Sequence, residues 1–226
     1  MIEAEKQIAA KAALQYIKSN MVVGLGTGST ANYFIRYLGE AVKNEALHTV
    51  KCVATSKASN ALAREVGLEV IPLNTISKID VTVDGADEFD SDLNLIKGGG
   101  GALVQEKIIA SLSSQFIVIT DAKKKVPTLG AFKLPVEVFE FASMPILNKL
   151  AALGLHPILR KDALGTVFIS DNGNTIIDLD LQKIEQPQRL QELLQSIPGI
   201  LDHGLFLGFA SVVLMGVQGK VIEFTT

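Results

Sequence analysis

Two runs that could carry proton chemistry stand close together, Asp84-Gly85-Ala86-Asp87-Glu88 and Lys97-Gly98-Gly99-Gly100-Gly101, and Glu106 follows shortly after. Carboxylates able to take and return a proton, with one cation able to steady an oxyanion, thus flank a glycine hinge. Four consecutive glycines cost conformational entropy on folding, so they persist where backbone must approach something closely or adopt positive φ. Upstream, Gly24-Leu25-Gly26-Thr27-Gly28-Ser29-Thr30 places hydroxyls where a strand gives way to a helix. Unpaired N–H groups and the helix dipole attract an anion at such a place, and phosphate is the natural guest. Taken singly, each feature has a plainer reading. The first loop is also a tight turn with Ser29 as N-cap, Asp84 and Asp87 are also turn caps, and Glu106 also sits on a solvated helix face beside Lys107. The conjunction of the runs favours chemistry.

These residues need a frame. The apolar run 79–83 reads as a buried strand, which brings Asp84 out at a strand's carboxyl end, where open α/β sheets place ligands. Ile8, Ala12, Leu14 and Ile17 lie near helical spacing and predict a helix over 4–17, followed by a strand at 21–23 and a helix over 32–42. Strands at 50–54 and 69–71 flank a helix over 56–66 that Gly67 stops. A helix over 102–112 and a strand at 116–120 come next. Alternation of this kind implies a mostly parallel sheet covered on both faces. Pro127, Gly130 and Pro135 then mark a boundary. Beyond it, strands at 136–141, 157–160, 166–170, 175–179 and near 200, with helices over 145–153 and 188–196, approximate the β-α-β-β-α-β order of a ferredoxin-like domain with one strand too many. The tail, 211–215 and 220–224, is apolar enough to return to the first sheet. The expected architecture is therefore α/β: a Rossmann-like, mostly parallel sheet domain from 1–129 and 205–226, with an inserted smaller ferredoxin-like α+β domain from 130–204.

Composition excludes several classes. A net charge of -3, with no basic run beyond Lys123-Lys124-Lys125, offers no electrostatic footprint for a nucleic-acid partner. No apolar run is long enough to span a bilayer, and no secretion signal is visible at the N-terminus, so no membrane association is expected. The single cysteine, Cys52, lies in an apolar run and reads as a core residue of a protein kept in a reducing cytosol. His48, His156 and His203 are scattered, so no metal site is expected. The first loop lacks both the third glycine of the dinucleotide fingerprint and the lysine of a nucleotide P-loop, so no cofactor is expected. No nucleophile elbow of the Gly-x-Ser-x-Gly type is present.

Gly-Leu-Gly-Thr-Gly-Ser-Thr at 24–30, Val-Asp-Gly-Ala-Asp-Glu at 83–88, Lys-Gly-Gly-Gly at 97–100 and Glu-Lys-Ile-Ile-Ala at 106–110 together resemble the A-type ribose-5-phosphate isomerases. Leu134-Pro135-Val136-Glu137-Val138, Asp171-Asn172-Gly173-Asn174 and Ile197-Pro198-Gly199 extend the likeness over essentially the whole chain. The resemblance implies interconversion of ribose 5-phosphate and ribulose 5-phosphate in the pentose phosphate pathway, without metal or cofactor, by a cytoplasmic homodimer. It places the proton acceptor on Glu106. Substrate-binding segments fall on Thr27, Gly28, Ser29 and Thr30, on Asp84, Gly85, Ala86 and Asp87, on Lys97, Gly98, Gly99 and Gly100, and on Lys124, with Lys6 a further candidate for the phosphate. Lys97 and backbone N–H groups would stabilise an enediolate, and Asp84 or Asp87 would move hydroxyl protons. Gly101 stands where some members have alanine, which should loosen the loop. Two other readings use related folds. A non-catalytic sugar-phosphate sensor needs no base and would carry a DNA-binding segment, which is not visible; a sugar-phosphate deaminase or coenzyme A transferase is disfavoured by the segment from Lys97 to Glu106.

Overall fold

A computed structural model describes residues 2–225. Helix α1 (Ile2–Ala12) tightens into a 3-10 turn over Ala13–Tyr16 before strand β1 (Val22–Leu25). Alternation continues through α2 (Ser29–Lys43), β2 (Lys51–Ala54), α3 (Lys57–Glu65), β3 (Glu69–Val70) and β4 (Ile79–Gly85). Two short strands, β5 (Glu88–Phe89) and β6 (Leu95–Ile96), precede α4 (Leu103–Ser111) and the long β7 (Ser113–Asp121). Next come β8 (Leu134–Val138), α5 (Ser143–Ala152), β9 (Pro157–Leu159), β10 (Thr175–Leu179), α6 (Pro187–Gln195) and β11 (Ile200–His203). The chain closes with β12 (Leu205–Phe206), β13 (Val212–Val217) and β14 (Lys220–Thr225).

The described chain forms two compact units. The first gathers the residues up to Ala86, Gln105–Lys125 and those from Gly208 on. Its sheet runs β14-β13-β7-β4-β1-β2-β3, parallel throughout except for β14, which returns antiparallel on β13. A parallel sheet packs apolar side chains on both faces, and this one does: Val81 and Val83 of β4 and Phe116, Ile117, Val118 and Ile119 of β7 are all buried. Helix α2 buries Ala31, Phe34, Ile35, Leu38 and Gly39, the i, i+3, i+4, i+7, i+8 stripe of an amphipathic helix. Ser56 caps α3 by accepting from the Ser59 N–H, and Gly67 at φ +83 follows its end. Cys52 lies in this core, and burial pushes its thiol up to about 12, so it has no thiolate chemistry to offer.

The second unit comprises Asp87–Val104 and Val126–Leu207. Its four-stranded antiparallel sheet runs β11-β8-β10-β9, the strand order of a ferredoxin-like β-α-β-β-α-β unit. Ile146, Leu150, Leu194 and Ile197 pack against Val136, Val138, Ile177 and Leu179 to form its core. The surplus strand expected at 166–170 reduces to single bridges, Lys161 to Val167 and Ile169 to Thr175. The reason is local. Asp162 Oδ1 takes the N–H groups of Leu164 and Thr166, both at 2.9 Å, and such side-chain bonds compete with a ladder.

A small three-stranded sheet, β12-β6-β5, also belongs to this unit. It brings 87–104 into the second unit, although the alternation had grouped that segment with the first 129 residues, and the boundary expected at 129/130 falls at 125/126. Glu88 helps to hold it there: its carboxylate, 4% exposed, accepts from the N–H groups of Gly130 (2.7 Å) and Phe132 (2.6 Å). Strands of two residues show no periodicity, which is why they escape a sequence reading.

Candidate active site

Strand β1 leads to β2 and β3 on one side, and its other neighbour β4 leads to β7 and β13 on the other. The strand order therefore reverses between β1 and β4, and the crevice beyond their carboxyl ends is where an open α/β sheet binds its ligand. Two candidate segments meet there. Asp84, fully buried, accepts the Thr27 N–H (3.0 Å) and the Gly85 N–H (2.7 Å) on one oxygen. Gly26 makes this approach possible, because a Cβ at that position would lie 2.1 Å from Asp84 Oδ1.

The hydroxyls of the first loop divide. Thr27 Oγ1 turns inward to a cluster of Thr55 (2.7 Å), Ser56 (2.8 Å) and Ser59 (3.2 Å), and Ser59 Oγ donates to the Gly26 carbonyl (2.6 Å). Thr27 thus braces the loop with its side chain. Ser29 is exposed and Thr30 half-buried, at the start of α2. Ser29 is not the N-cap: Gly28 is, at φ +112, and no side chain caps the helix. A glycine reaches that backbone conformation without strain, and it leaves the first-turn N–H groups with no side-chain acceptor at the cap.

Lys6 Nζ lies 2.7 Å from Glu3, whose second oxygen accepts from Tyr33 on α2 at 2.9 Å. The Lys6 hydrogen bond, and then that of Tyr33, hold the Glu3 carboxyl below its ordinary value. Lys124 ends the 3-10 turn Ala122–Lys124 that follows β7, the parallel neighbour of β4, so it leaves the sheet at the same edge as Asp84. Glu106 stands in the first turn of α4 and is only 3% exposed.

The remaining candidates lie in the second unit. Asp87 donates its N–H to the Ile96 carbonyl (2.8 Å) and accepts the Gly99 N–H on Oδ2 (2.7 Å). Lys97 is 2% exposed; its N–H bonds the Gly204 carbonyl at 2.9 Å, and its Nζ lies 5.6 Å from the centre of the Phe206 ring. Gly98 (φ +95) and Gly101 (φ +81) turn the loop, closed by the Gly101 N–H on the Gly98 carbonyl at 3.0 Å.

The loop is not slack. A Cβ on Gly99 would sit 2.7 Å from the Asp87 carboxylate, and one on Gly101 would sit 2.5 Å from the Phe168 ring. The loosening expected of Gly101 is thereby corrected: the glycine is what lets the loop lie against Phe168. Gly101→Ala should destabilise the protein by about 1–3 kcal/mol through overpacking, with about 1–2 kcal/mol more for a left-handed alanine. A thermal midpoint within a degree of the parent protein would show that Phe168 yields freely.

Sequence reading missed Thr55, Ser59, Phe168 and Arg160, the last of which donates to the Gly98 and Gly99 carbonyls. Only Ser56 carried a signal, as an N-cap.

Within the first unit, a buried carboxylate at the switch point of a parallel sheet and an uncapped helix start beside it are the arrangement by which an α/β enzyme takes a small anionic substrate. The model of ribose 5-phosphate isomerase A (phosphoriboisomerase A) matches residues 51–220. A ribose-5-phosphate isomerase A of Streptococcus agalactiae is 47% identical over 95% of each chain, and one of Dinoroseobacter shibae is 45% identical over 98% of this chain and 87% of its own. Among solved structures, a D-ribose-5-phosphate isomerase in complex with phospho-erythronic acid superposes with a TM-score of 0.97 at 39% identity, covering 100% of both chains. The Plasmodium falciparum ribose 5-phosphate isomerase superposes with a TM-score of 0.95 at 35% identity, covering 100% of this chain and 99% of that one. The chain belongs to the ribose 5-phosphate isomerase A family.

Proposed function

We propose that this chain interconverts ribose 5-phosphate and ribulose 5-phosphate, in the pentose phosphate pathway, by carboxylate-mediated proton transfer through an enediolate. The observation that carries the reading is a carboxylate, Glu106, buried in the first turn of a helix, to which the resemblance assigns the role of proton acceptor. Burial keeps bulk water from competing for the proton while it is held between adjacent carbons. Glu106 takes the proton from one carbon and returns it to the neighbouring one. Lys97, with N–H groups of the glycine loop, stabilises the negative charge that develops on oxygen. Asp84 or Asp87 moves the hydroxyl protons, including those transferred in ring opening. Asp84 Oδ1 and Asp87 Oδ2 already hold backbone N–H groups, which orients both carboxylates.

The 5-phosphate belongs at the start of α2, where Gly28, Ser29 and Thr30 offer N–H groups and hydroxyls, helped by Lys124 and Lys6. Thr27 contributes its place in the braced turn. A metal is redundant in this scheme. Lys97 supplies the charge that an enediolate requires, and a divalent ion would compete for the carboxylates that the reaction uses. The same reading makes the protein a cytoplasmic homodimer. Its support is a buried, unreactive cysteine and the aromatic pair Phe139 and Phe141, 46% and 88% exposed with ring centres 6.0 Å apart, which suits self-association.

Chelator-treated, exhaustively dialysed protein should convert ribose 5-phosphate at an undiminished rate with no nucleotide added, and inorganic phosphate should compete with the sugar. A rate that collapses on chelation and returns with magnesium or manganese would show that the carboxylates form a metal site.

A further inference from the structure

Glycines have no side chains, so whatever aims the peptides of 98–101 must reach them from outside. Arg160, just beyond β9, does so. Its Nη1 donates to the Gly98 carbonyl at 3.0 Å and to the Gly99 carbonyl at 3.2 Å. The opposite edge of the guanidinium is taken by Asp178, Nε to Oδ2 at 2.9 Å and Nη2 to Oδ1 at 2.5 Å. Asp178 stands on β10 directly across from Ile158 of β9, so the ladder holds the acid in place. The guanidinium also lies 5.8 Å from the centre of the Phe168 ring, the ring against which Gly101 rests. The Arg160 and Asp178 side chains are 13% and 16% exposed.

A trans peptide points its N–H opposite to its carbonyl. The peptide between Gly98 and Gly99 is accordingly held at both ends, its oxygen by Arg160 and its N–H by Asp87. The peptide between Gly99 and Gly100 is held by its oxygen, which sends the N–H of the exposed Gly100 away from Arg160. If that peptide flipped, a carbonyl lone pair would point where the donor belongs and would repel an oxyanion.

We infer that Arg160, locked by Asp178, is a positioning residue: it sets the direction of the Gly100 N–H as a donor to the oxygen that becomes negative during isomerisation. This rests on the isomerase reading above and deepens it, since no residue of the reacting group itself is changed. An arginine is required because two carbonyls and a carboxylate must be met at once by a planar, fixed fork; a lysine ammonium can satisfy one edge and leaves the other unpaired.

The test is steady-state kinetics of Arg160→Lys and Asp178→Asn, with two binding readouts and a thermal midpoint. A misplacement on the order of 1 Å costs roughly 100-fold. Arg160→Lys should lower kcat by about 10- to 100-fold with KM changed less than about 3-fold. Phospho-erythronic acid, whose planar carboxylate presents two oxygens as an enediolate does, should bind more weakly by a similar factor, while inhibition by inorganic phosphate stays unchanged. Asp178→Asn should show the same pattern more mildly, and it keeps the inference testable if the lysine variant does not fold.

Three results would overturn the inference: kcat within about 2-fold of the parent in both variants, equal weakening of phosphate and phospho-erythronic acid, or a fall in kcat that only tracks a fall in thermal midpoint. The isomerase reading would survive each of them, because it fails on a different measurement, the absence of ribose 5-phosphate conversion by the unaltered protein.

Discussion

Glu106→Gln should abolish turnover and leave the protein folded. The amide matches the carboxylate in shape but cannot accept a proton, and losing a positioned base costs on the order of 100- to 10,000-fold in rate. Glu106 is 3% exposed, and the amide keeps the volume and shape of the carboxylate, so the thermal midpoint should move little. KM and inhibition by phosphate should move only a few-fold, because a base in the proposed role acts on a carbon-bound proton rather than on the phosphate. Turnover within a few-fold of the parent would remove Glu106 from the role of base and pass it to Asp84 or Asp87.

The second large effect belongs to Lys97. Lys97→Met keeps most of the side chain's length and its packing against Phe206 while deleting the charge. Removing one preorganised donor to a developing oxyanion costs roughly 100- to 1,000-fold in kcat, and a buried thioether is easily accommodated. Lys97→Arg should not restore the rate, since a planar fork cannot take the place of a compact ammonium in a site 2% exposed. If the methionine variant retains a tenth or more of the parent kcat, backbone N–H groups carry the oxyanion and the lysine is structural.

Both predictions begin from residues that stand out before any folding is considered, but the arrangement around them does not. The glycines at 24, 26 and 28 mark a strand-to-helix turn by their type alone, yet the residue that caps the helix is Gly28 and not Ser29, because only the folded backbone reveals which position takes φ +112. Thr27 looks like Ser29 and Thr30 in a string of hydroxyl residues. Its side chain is drawn instead to Thr55, Ser56 and Ser59, roughly thirty positions away, by the pairing of β1 with β2. Glu88 belongs by sequence to the acidic motif, and in the fold it serves the N–H groups of Gly130 and Phe132.

The sequence by itself determined what depends on neighbours along the chain. Alternating apolar runs and breakers made a parallel α/β layer followed by a ferredoxin-like unit, and the buried run ending at Val83 put Asp84 at a strand's carboxyl end. Tertiary structure alone decided which strand order creates the switch point and that 87–104 joins the second unit. It also decided that a glycine loop with no side chains is clamped by Asp87, Arg160 and Phe168. Periodicity and turn chemistry are local signals written in residue type. A hydrogen bond between Arg160 and Gly98, 62 positions apart, depends on strand register and on distances of a few tenths of an ångström, which come into being only when the chain has folded.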